Sequence, residues 1–257
     1  MAVKPVRLQA IKDYLKNKNV ITVKKLAEEF SVSDMTIRRD ISELRKHNYI
    51  NVFHGGVSLK SQDTLNNFHY SIDNELVEKM EQKERIAKKA ASLIKQNDVI
   101  LIDTGSTTGS MVKYIGDDVG YSVYCYALNI INGVCAKPNL KVVACGGYYH
   151  NNTGMFESDE GAALIKKTHI NKAFLSARGI SKEVGITTAE PYEIQIKKAA
   201  ISSSEQKILL ADSTKFGKAW YAKYAELDDI DVVITDNNIE KKHIELLKDY
   251  NIELYIV

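Results

Sequence analysis

The 257-residue chain lacks long apolar runs and has only three prolines and three cysteines. None of its apolar stretches approaches the roughly 20 residues that a membrane-spanning helix needs. Its first residues carry no apolar signal core followed by a small-residue cleavage site. These absences argue against a membrane or secreted protein, so we expect a cytoplasmic protein with no membrane partner.

The three cysteines, Cys125, Cys135 and Cys145, are odd in number and lack the C-x-x-C spacing of a zinc site. A disulfide framework is equally disfavoured by this count. The pattern favours free thiols buried in the core. We therefore expect neither a metal nor a cofactor.

Charge is distributed unevenly along the chain. Residues 1–60 hold 12 Lys and Arg against 6 Asp and Glu, a net charge of +6. Because the whole chain carries +2, the remainder carries −4. A small basic unit joined to a mildly acidic body fits one end that meets a polyanion, although a scattered, solvated surface explains the charge equally well.

The basic segment has the pattern of three helices and a β-hairpin. Apolar residues at helical spacing predict helices over residues 7–16 and 23–30. Ser33 is a good N-cap for a third helix. Its inward positions are Ile37, Ile41 and Leu44. Residues 49–57 predict two short strands, the second ending at a Gly-Gly pair.

This arrangement predicts a winged helix-turn-helix whose third helix can enter a DNA major groove. Arginines near the start of such a helix can pair with guanine, and lysines and hydroxyls suit phosphates. The candidate DNA-contacting residues are Ser33, Thr36, Arg38, Arg39, Ser42, Arg45, Lys46, His54, Gly55 and Gly56. The alternative is a helical cap with solvated arginines, but turn, cap, apolar spacing and charge agree on DNA binding.

Residues 3–58 resemble the DeoR family of bacterial transcription regulators. The family pattern S-x-x-T-I-R-R-D-[LI]-x-x-L, followed by a wing ending in H-G-G, stands here at residues 33–44 and 54–56. The resemblance implies double-stranded operator DNA as a partner. Because a carboxylate repels phosphates, we expect Asp40 to brace the helix or its arginines instead of contacting DNA.

From residue 98 onward, short apolar strands alternate with helical segments. Strands are predicted over residues 99–103, 121–128, 141–145, 172–177, 207–211, 231–235 and 252–257. This alternation predicts an α/β fold with a Rossmann-like, mainly parallel sheet covered on both faces. We expect a DNA-binding domain over residues 1–60, a polar linker over 61–74, and a sensing domain over 75–257 that opens with a long helix over 75–95.

The stretch DTGSTT, Asp103 to Thr108, directly follows a predicted strand and opens a helix. Backbone N–H groups in such a turn can cradle a phosphate. No G-K-[ST] follows, which argues against nucleotide triphosphate hydrolysis. The alternative is an ordinary strand-to-helix turn with good capping residues.

Other polar residues follow the predicted strands, where ligands bind in open α/β sheets. The candidate effector-binding residues are Asp103, Gly105, Ser106, Thr107, Thr108, Asn129, Gly146, Gly147, Arg178, Gly179, Glu190, Lys197, Asp212 and Lys215. Each has an individual alternative: Asp212 can cap a turn, Glu190 can cap a helix, and Lys197 can be solvated. Their shared placement favours a ligand site.

The DeoR resemblance extends over this half of the chain. It implies the sugar-phosphate isomerase and coenzyme-A transferase fold, and a phosphorylated sugar or sugar alcohol as effector. The chain departs from the family pattern at residues 127–129, where Ala-Leu-Asn replaces a Thr-Asn ending. It also departs at Arg178, which could grip a second anionic group or pair with Glu190.

The resulting hypothesis is a repressor of a sugar-catabolism operon, not an enzyme. Two or more protomers, as a homodimer or homotetramer, would place recognition helices in successive grooves. The linker and the helix after it would transmit effector binding, and whether the effector releases or promotes DNA binding stays open. The alternative is a sugar-phosphate isomerase with an attached DNA-binding module, using Glu190 or Asp212 as base.

Overall fold

The computed structural model describes residues 4–16, 21–47, 49–53, 56–59, 72, 79–116 and 120–257. Its helices are α1 (Lys4–Lys16), α2 (Val23–Glu29), α3 (Asp34–Lys46), α4 (Met80–Ala91), α5 (Ser106–Ser110), α6 (Leu128–Cys135), α7 (Asp159–Lys166), α8 (Glu193–Ser202) and α9 (Lys241–Asp249). Its strands are β1 (Ile50–Phe53), β2 (Gly56–Leu59), β3 (Val99–Ile102), β4 (Ser122–Cys125), β5 (Lys141–Ala144), β6 (Tyr148–His150), β7 (Met155–Glu157), β8 (Ile170–Ser176), β9 (Gly179–Ser181), β10 (Gly185–Thr188), β11 (Ser204–Leu210), β12 (Ala222–Ala225), β13 (Val232–Thr235) and β14 (Glu253–Ile256).

Helices α1 to α3 and the hairpin β1–β2 form a winged helix-turn-helix around one apolar core. Ile37, Ile41 and Leu44 of α3 are buried in that core, as their spacing predicted. The hydroxyl of Ser33 accepts the backbone N–H of Thr36, which makes Ser33 the predicted N-cap of α3. Ile21 pairs with Val57 of β2 through two backbone hydrogen bonds. This antiparallel bridge adds a third extended segment to the β1–β2 hairpin.

Asp40 braces its helix, as the sequence predicted, but through a partner that the sequence did not indicate. Its carboxylate is 1% exposed and accepts Nε of Arg7 at 2.6 Å and Nη2 at 3.1 Å. The partner therefore lies on α1 and is not one of the α3 arginines. The pair fixes the recognition helix against the first helix of the unit.

Several helix ends differ from the prediction for local reasons. α1 begins at Lys4, three residues before the predicted start. α2 ends at Glu29, and Ser31 follows with a φ of 49° that turns the chain into α3. The helix predicted over 75–95 spans only Met80–Ala91, since Lys79 has a φ of 54°. At its other end the carboxylate of Asp98 accepts the Lys95 N–H, and the chain turns into β3. Residues 73–78 lie outside the described part of the chain.

All seven strands predicted for the body join one sheet. Their order is β14-β13-β11-β8-β3-β4-β5, and every neighbouring pair is parallel. The strands are apolar because helices cover both faces, and the packed residues form two apolar clusters. The fold is the α/β class that the alternation predicted.

The strand order reverses beside β3. From β3 the chain adds β4 and β5 on one side and then returns to place β8 on the other. The loops after β3 and β8 therefore diverge and leave a crevice at the carboxyl ends of the strands, which is where open α/β sheets bind ligands. Two small antiparallel sheets that the sequence did not predict, β6–β7 and β12-β10-β9, flank this edge.

The cysteines behave only partly as expected. Cys125 and Cys145 are buried free thiols, and burial raises the pKa of Cys125 to about 12. Cys135 is exposed, because it closes α6 on the solvent side. The domain limits at residues 60 and 74 fall in a region where the structure describes only Ile72. No described helix is both long and apolar enough to cross a membrane.

Candidate functional sites

A cleft opens at the point where the strand order reverses. It is lined by residues that follow β3, β8, β10 and β11. These are Thr104, Gly105, Ser106, Thr107, Ser176, Ala177, Arg178, Thr188, Ala189, Glu193, Leu210, Ala211 and Lys215. Hydroxyl groups, glycine backbone and two cations therefore share one opening.

The turn between β3 and α5 forms one wall of the cleft. Gly105 packs so closely on β8 that a Cβ there would lie 2.8 Å from the Cβ of Ser176, so a larger residue does not fit. Ser106 and Thr107 open α5 and line the cleft. The hydroxyl of Thr108 is used internally, because it donates to the carbonyl of Gly105 at 3.1 Å.

Asp103 lies beneath this turn as a fully buried carboxylate. Its Oδ2 accepts the backbone N–H of Ser176 at 2.8 Å and the hydroxyl of Ser176 at 2.9 Å. Lys197 of α8, also fully buried, donates to the same oxygen, and Tyr126 donates to Oδ1. Both carboxylate oxygens are thus occupied, and Asp103 ties the ends of β3 and β8 to α8.

Glu193 extends this buried network into the cleft. It is 3% exposed, lies one helical turn before Lys197, and its Oε2 is 3.6 Å from Nζ of that lysine. Its other oxygen, Oε1, accepts the backbone N–H of Glu190 at 3.0 Å. Burial raises the pKa of Glu193, while the charge of Lys197 opposes that rise.

Arg178 and Lys215 bring positive charge to the cleft. The guanidinium of Arg178 lies over the ring of Trp220, with Cζ 4.8 Å from the ring centroid. Nζ of Lys215 is 3.9 Å from the carboxylate of Asp212. The carboxylate of Glu190 accepts from the amide of Asn152 at 3.0 Å and from the hydroxyl of Tyr221 at 2.9 Å.

The structure brings together five of the predicted effector residues as cleft lining: Gly105, Ser106, Thr107, Arg178 and Lys215. Asp103 and Lys197 lie directly beneath, so the solvated alternative for Lys197 is excluded. The others, Thr108, Asn129, Gly146, Gly147, Gly179, Glu190 and Asp212, are not among the lining residues.

Local structure explains several of these positions. Asp212 caps a 3-10 turn by accepting the N–H of Thr214 at 3.0 Å. Gly147 has a φ of 148°, and a Cβ there would meet the carbonyl of Glu157 at 2.1 Å. Gly179 similarly allows the close approach of the Lys218 carbonyl. Asn129 lies in the first turn of α6, where its amide packs against Gly109.

Several residues that build the site were not among those predicted from the sequence. They are Thr104, Tyr126, Ser176, Thr188, Glu193 and Tyr224. Glu193 could have been found from its position four residues before Lys197 on one helix. The two tyrosines gave no signal in the sequence, because only the packing of β4 and β12 brings their hydroxyls to the cluster.

The exposed face of α3 carries five of the ten predicted DNA contacts. Arg38, Arg39, Ser42, Arg45 and Lys46 are all exposed. At the helix start the Ser33 hydroxyl accepts the Thr36 N–H and lies 3.0 Å from the Thr36 hydroxyl. Gly56 opens β2, whereas His54 and Gly55 lie outside the described residues.

A basic winged helix-turn-helix joined to an α/β body with a polar cleft defines a ligand-sensing DNA-binding regulator. The chain matches the DeoR-like helix-turn-helix domain over residues 7–63 and the DeoR C terminal sensor domain over residues 78–237. It therefore belongs to the DeoR family of bacterial transcriptional regulators.

Curated relatives cover nearly the whole chain. It is 33% identical to the transcriptional regulator GolR of Listeria innocua, over 94% of each chain. It is 28% identical to the regulator IolR of Bacillus subtilis, over 98% of this chain and 99% of the relative. It is also 28% identical to the deoxyribose operon repressor of Escherichia coli K12, over 96% of each chain.

We predict that Lys197→Met destabilises the sensor unit by about 3–5 kcal/mol, because it leaves buried carboxylates without their cation. Without that charge the pKa of Glu193 rises further. A raised folded-state pKa contributes stability at low pH that is lost as pH increases, so the deficit should be smaller at pH 5 than at pH 8. Urea unfolding at pH 5 and pH 8 measures the difference in unfolding free energy between the variant and the parent protein.

The neighbouring exposed lysine supplies the control. Lys198→Met changes the same side chain on the same helix without touching the buried cluster, so its unfolding midpoint should match the parent protein. Equal midpoints for both variants would show that the ion cluster does not hold the site together.

Proposed function

We propose that the protein is a repressor of a sugar or sugar-alcohol catabolic operon and that a phosphorylated sugar controls its binding to operator DNA. The observation that carries this proposal is the cleft at the reversal of strand order, where a Gly-Ser-Thr turn and two cations face one opening. The DeoR membership and a relative named as the deoxyribose operon repressor support it. Such a protein acts in the cytoplasm, where its operator is.

The phosphate group would bind at the turn after β3. Backbone N–H groups of Ser106 and Thr107 at the start of α5, together with their hydroxyls, supply donors for its oxygens. Lys215 supplies a positive charge at the same opening, and Arg178 can neutralise a second phosphate oxygen or another anionic group. Both groups bind an anion more strongly than a neutral sugar.

The sugar hydroxyls would then meet Glu193 and Thr104. Asp103 is excluded from this role because it is fully buried and is not among the residues that line the cleft. Glu193 lines the cleft and carries a carboxylate that can accept from a hydroxyl. We assign Asp103 and Lys197 to holding the turn in place.

A homodimer or homotetramer would place two α3 helices in successive major grooves. Arg38 and Arg39 on the exposed face of α3 would contact bases, and Arg45 and Lys46 would contact phosphates. Binding without chemical conversion is the expected behaviour of the cleft. Product analysis after incubation with pentose and hexose phosphates distinguishes this from an isomerase, which would equilibrate the two sugar isomers.

Contiguous contacts support a route from the cleft to the linker. The hydroxyl of Thr104 donates to the carbonyl of Thr153 at 3.1 Å, in the turn between β6 and β7. The neighbouring carbonyl of Asn152 accepts the backbone N–H of Ile72 at 2.8 Å. Ile72 is 7% exposed and lies in the sequence between the DNA-binding unit and α4. The two hydrogen bonds therefore connect this position to Thr104, which lines the cleft.

A second contact joins the two units directly. Nζ of Lys25 on α2 lies 3.1 Å from the carboxylate of Glu183, in the turn between β9 and β10. β9 begins directly after Arg178. An effector that moves Arg178 could therefore shift α2, provided that the effector binds one arrangement of the β9–β10 hairpin more tightly than another.

We expect Lys215→Ala to weaken effector binding about ten- to hundredfold through loss of one charged contact to phosphate. Operator affinity without effector should stay unchanged. A thermal-shift screen of phosphorylated sugars finds the ligand, and its titration against a gel-shifted operator measures the loss. Lys166→Ala, an exposed lysine on α7, is the control. An unchanged titration for Lys215→Ala would remove this residue from the site.

Arg38→Ala should reduce operator affinity by about 1–3 kcal/mol if Arg38 reads a base. Affinity for unrelated duplex DNA should fall much less. Competition gel shifts with both duplexes measure the ratio, and Arg85→Ala on α4 serves as an arginine control. Equal losses on the two duplexes would demote Arg38 to a phosphate contact.

For Ile72→Ala we predict reduced coupling by about 0.5–2 kcal/mol, with effector affinity nearly unchanged. The truncated side chain no longer fastens the linker to the β6–β7 turn. Operator dissociation is followed at saturating effector, and Ile244→Ala, a half-buried isoleucine of α9, is the control. Full effector response of Ile72→Ala would contradict this route.

A further inference from the structure

Met35 is a large apolar side chain left in solvent on the recognition helix. It is the second residue of α3 and is 62% exposed. Arg39 and Ser42 lie four and seven residues further on, so the three side chains share one face of the helix. That face is otherwise polar or charged, and Met35 stands on it where the helix begins.

The position of Met35 is where recognition helices approach base edges. In helix-turn-helix proteins the N-terminal residues of the recognition helix contact the bases. The hydroxyls of Ser33 and Thr36 on either side are engaged with each other at 3.0 Å in the helix cap. Met35 is thus the exposed apolar side chain of this first turn, next to the exposed carboxylate of Asp34.

The major groove offers one kind of apolar group to such a side chain. Each base pair presents hydrogen-bond donors and acceptors there, and only thymine adds a methyl group at C5. A thioether side chain cannot pair with the polar edges, but it is flexible and packs well against a methyl group. Covering both groups removes apolar surface from water.

We propose that Met35 reads the C5 methyl group of a thymine in the operator and so prefers a T·A pair at one position of each half-site. This reading rests on the proposed operator binding, since it needs α3 in the major groove. Arg38 and Arg39 beside Met35 supply the polar contacts to neighbouring bases. Met35 therefore adds sequence preference at a position that the charged residues do not read.

The test removes the methyl group from the DNA and the side chain from the protein. The probe is a duplex selected by the full-length protein from a random-sequence pool, resynthesised with each thymine replaced singly by deoxyuridine. Dissociation constants are measured for the parent protein and for Met35→Ala. Met80→Ala is the control, because Met80 is 52% exposed at the start of α4, outside the DNA-binding unit.

One deoxyuridine position in each half-site should weaken the parent protein about three- to fivefold, the effect of uncovering a single methyl group. The same replacement should leave Met35→Ala unaffected, while Met80→Ala should behave like the parent. Equal losses for parent and Met35→Ala at every position, or no loss anywhere, overturn the reading. If the selection enriches no sequence at all, the proposed operator binding is itself wrong. The selection step therefore separates failure of the proposed function from failure of the Met35 contact.

Discussion

The ion pair between Asp103 and Lys197 is the interaction on which the sensor half depends. A buried charge is tolerated only when it is paired and hydrogen-bonded, and this carboxylate has partners on both oxygens. The partners come from β8, α8 and the segment after β4, so one side chain joins the elements that meet where the strand order reverses. The cleft keeps its shape because the turn after β3 cannot move without breaking this cluster.

The two halves of the molecule hold their candidate binding surfaces in place in a similar way. The cleft gathers glycine backbone, hydroxyls and two cations at one opening. The α3 face carries exposed arginines, a lysine and one methionine. In each half a buried pair holds the binding surface from behind: Asp40 with Arg7 for α3, and Asp103 with Lys197 for the cleft. In each half, an almost fully buried carboxylate thus anchors the elements next to it.

Short contacts around the cleft connect the two halves of the molecule. Ile72 is bound to the turn between β6 and β7, and that turn is bound to Thr104. The hairpin β9–β10 contacts Lys25 at its turn and begins beside Arg178. Both connections run through small antiparallel sheets that the strand pattern did not predict. Strands such as Gly179–Ser181 and Ala222–Ala225 mix small, polar and apolar residues, so they lack the apolar runs that mark the buried parallel strands.

The spacing of apolar residues in the sequence was sufficient to predict the large helices and the parallel strands. That spacing is present because stable helices and parallel strands must bury apolar side chains. The three-helix pattern with Ser33 as cap, and all seven strands of the parallel sheet, follow from the order of apolar residues. The DTGSTT turn and Lys215 were also identifiable, since polar residues after parallel strands gather at one edge. Tertiary structure alone decided which polar residues face the cleft. Asp103 and Lys197 turned inward as a pair, Asp212 capped its own turn, and Glu190 bound Asn152 and Tyr221, whereas the nearly buried Glu193 reached the cleft lining. Such choices depend on distances between residues far apart in sequence, and no local pattern encodes those distances.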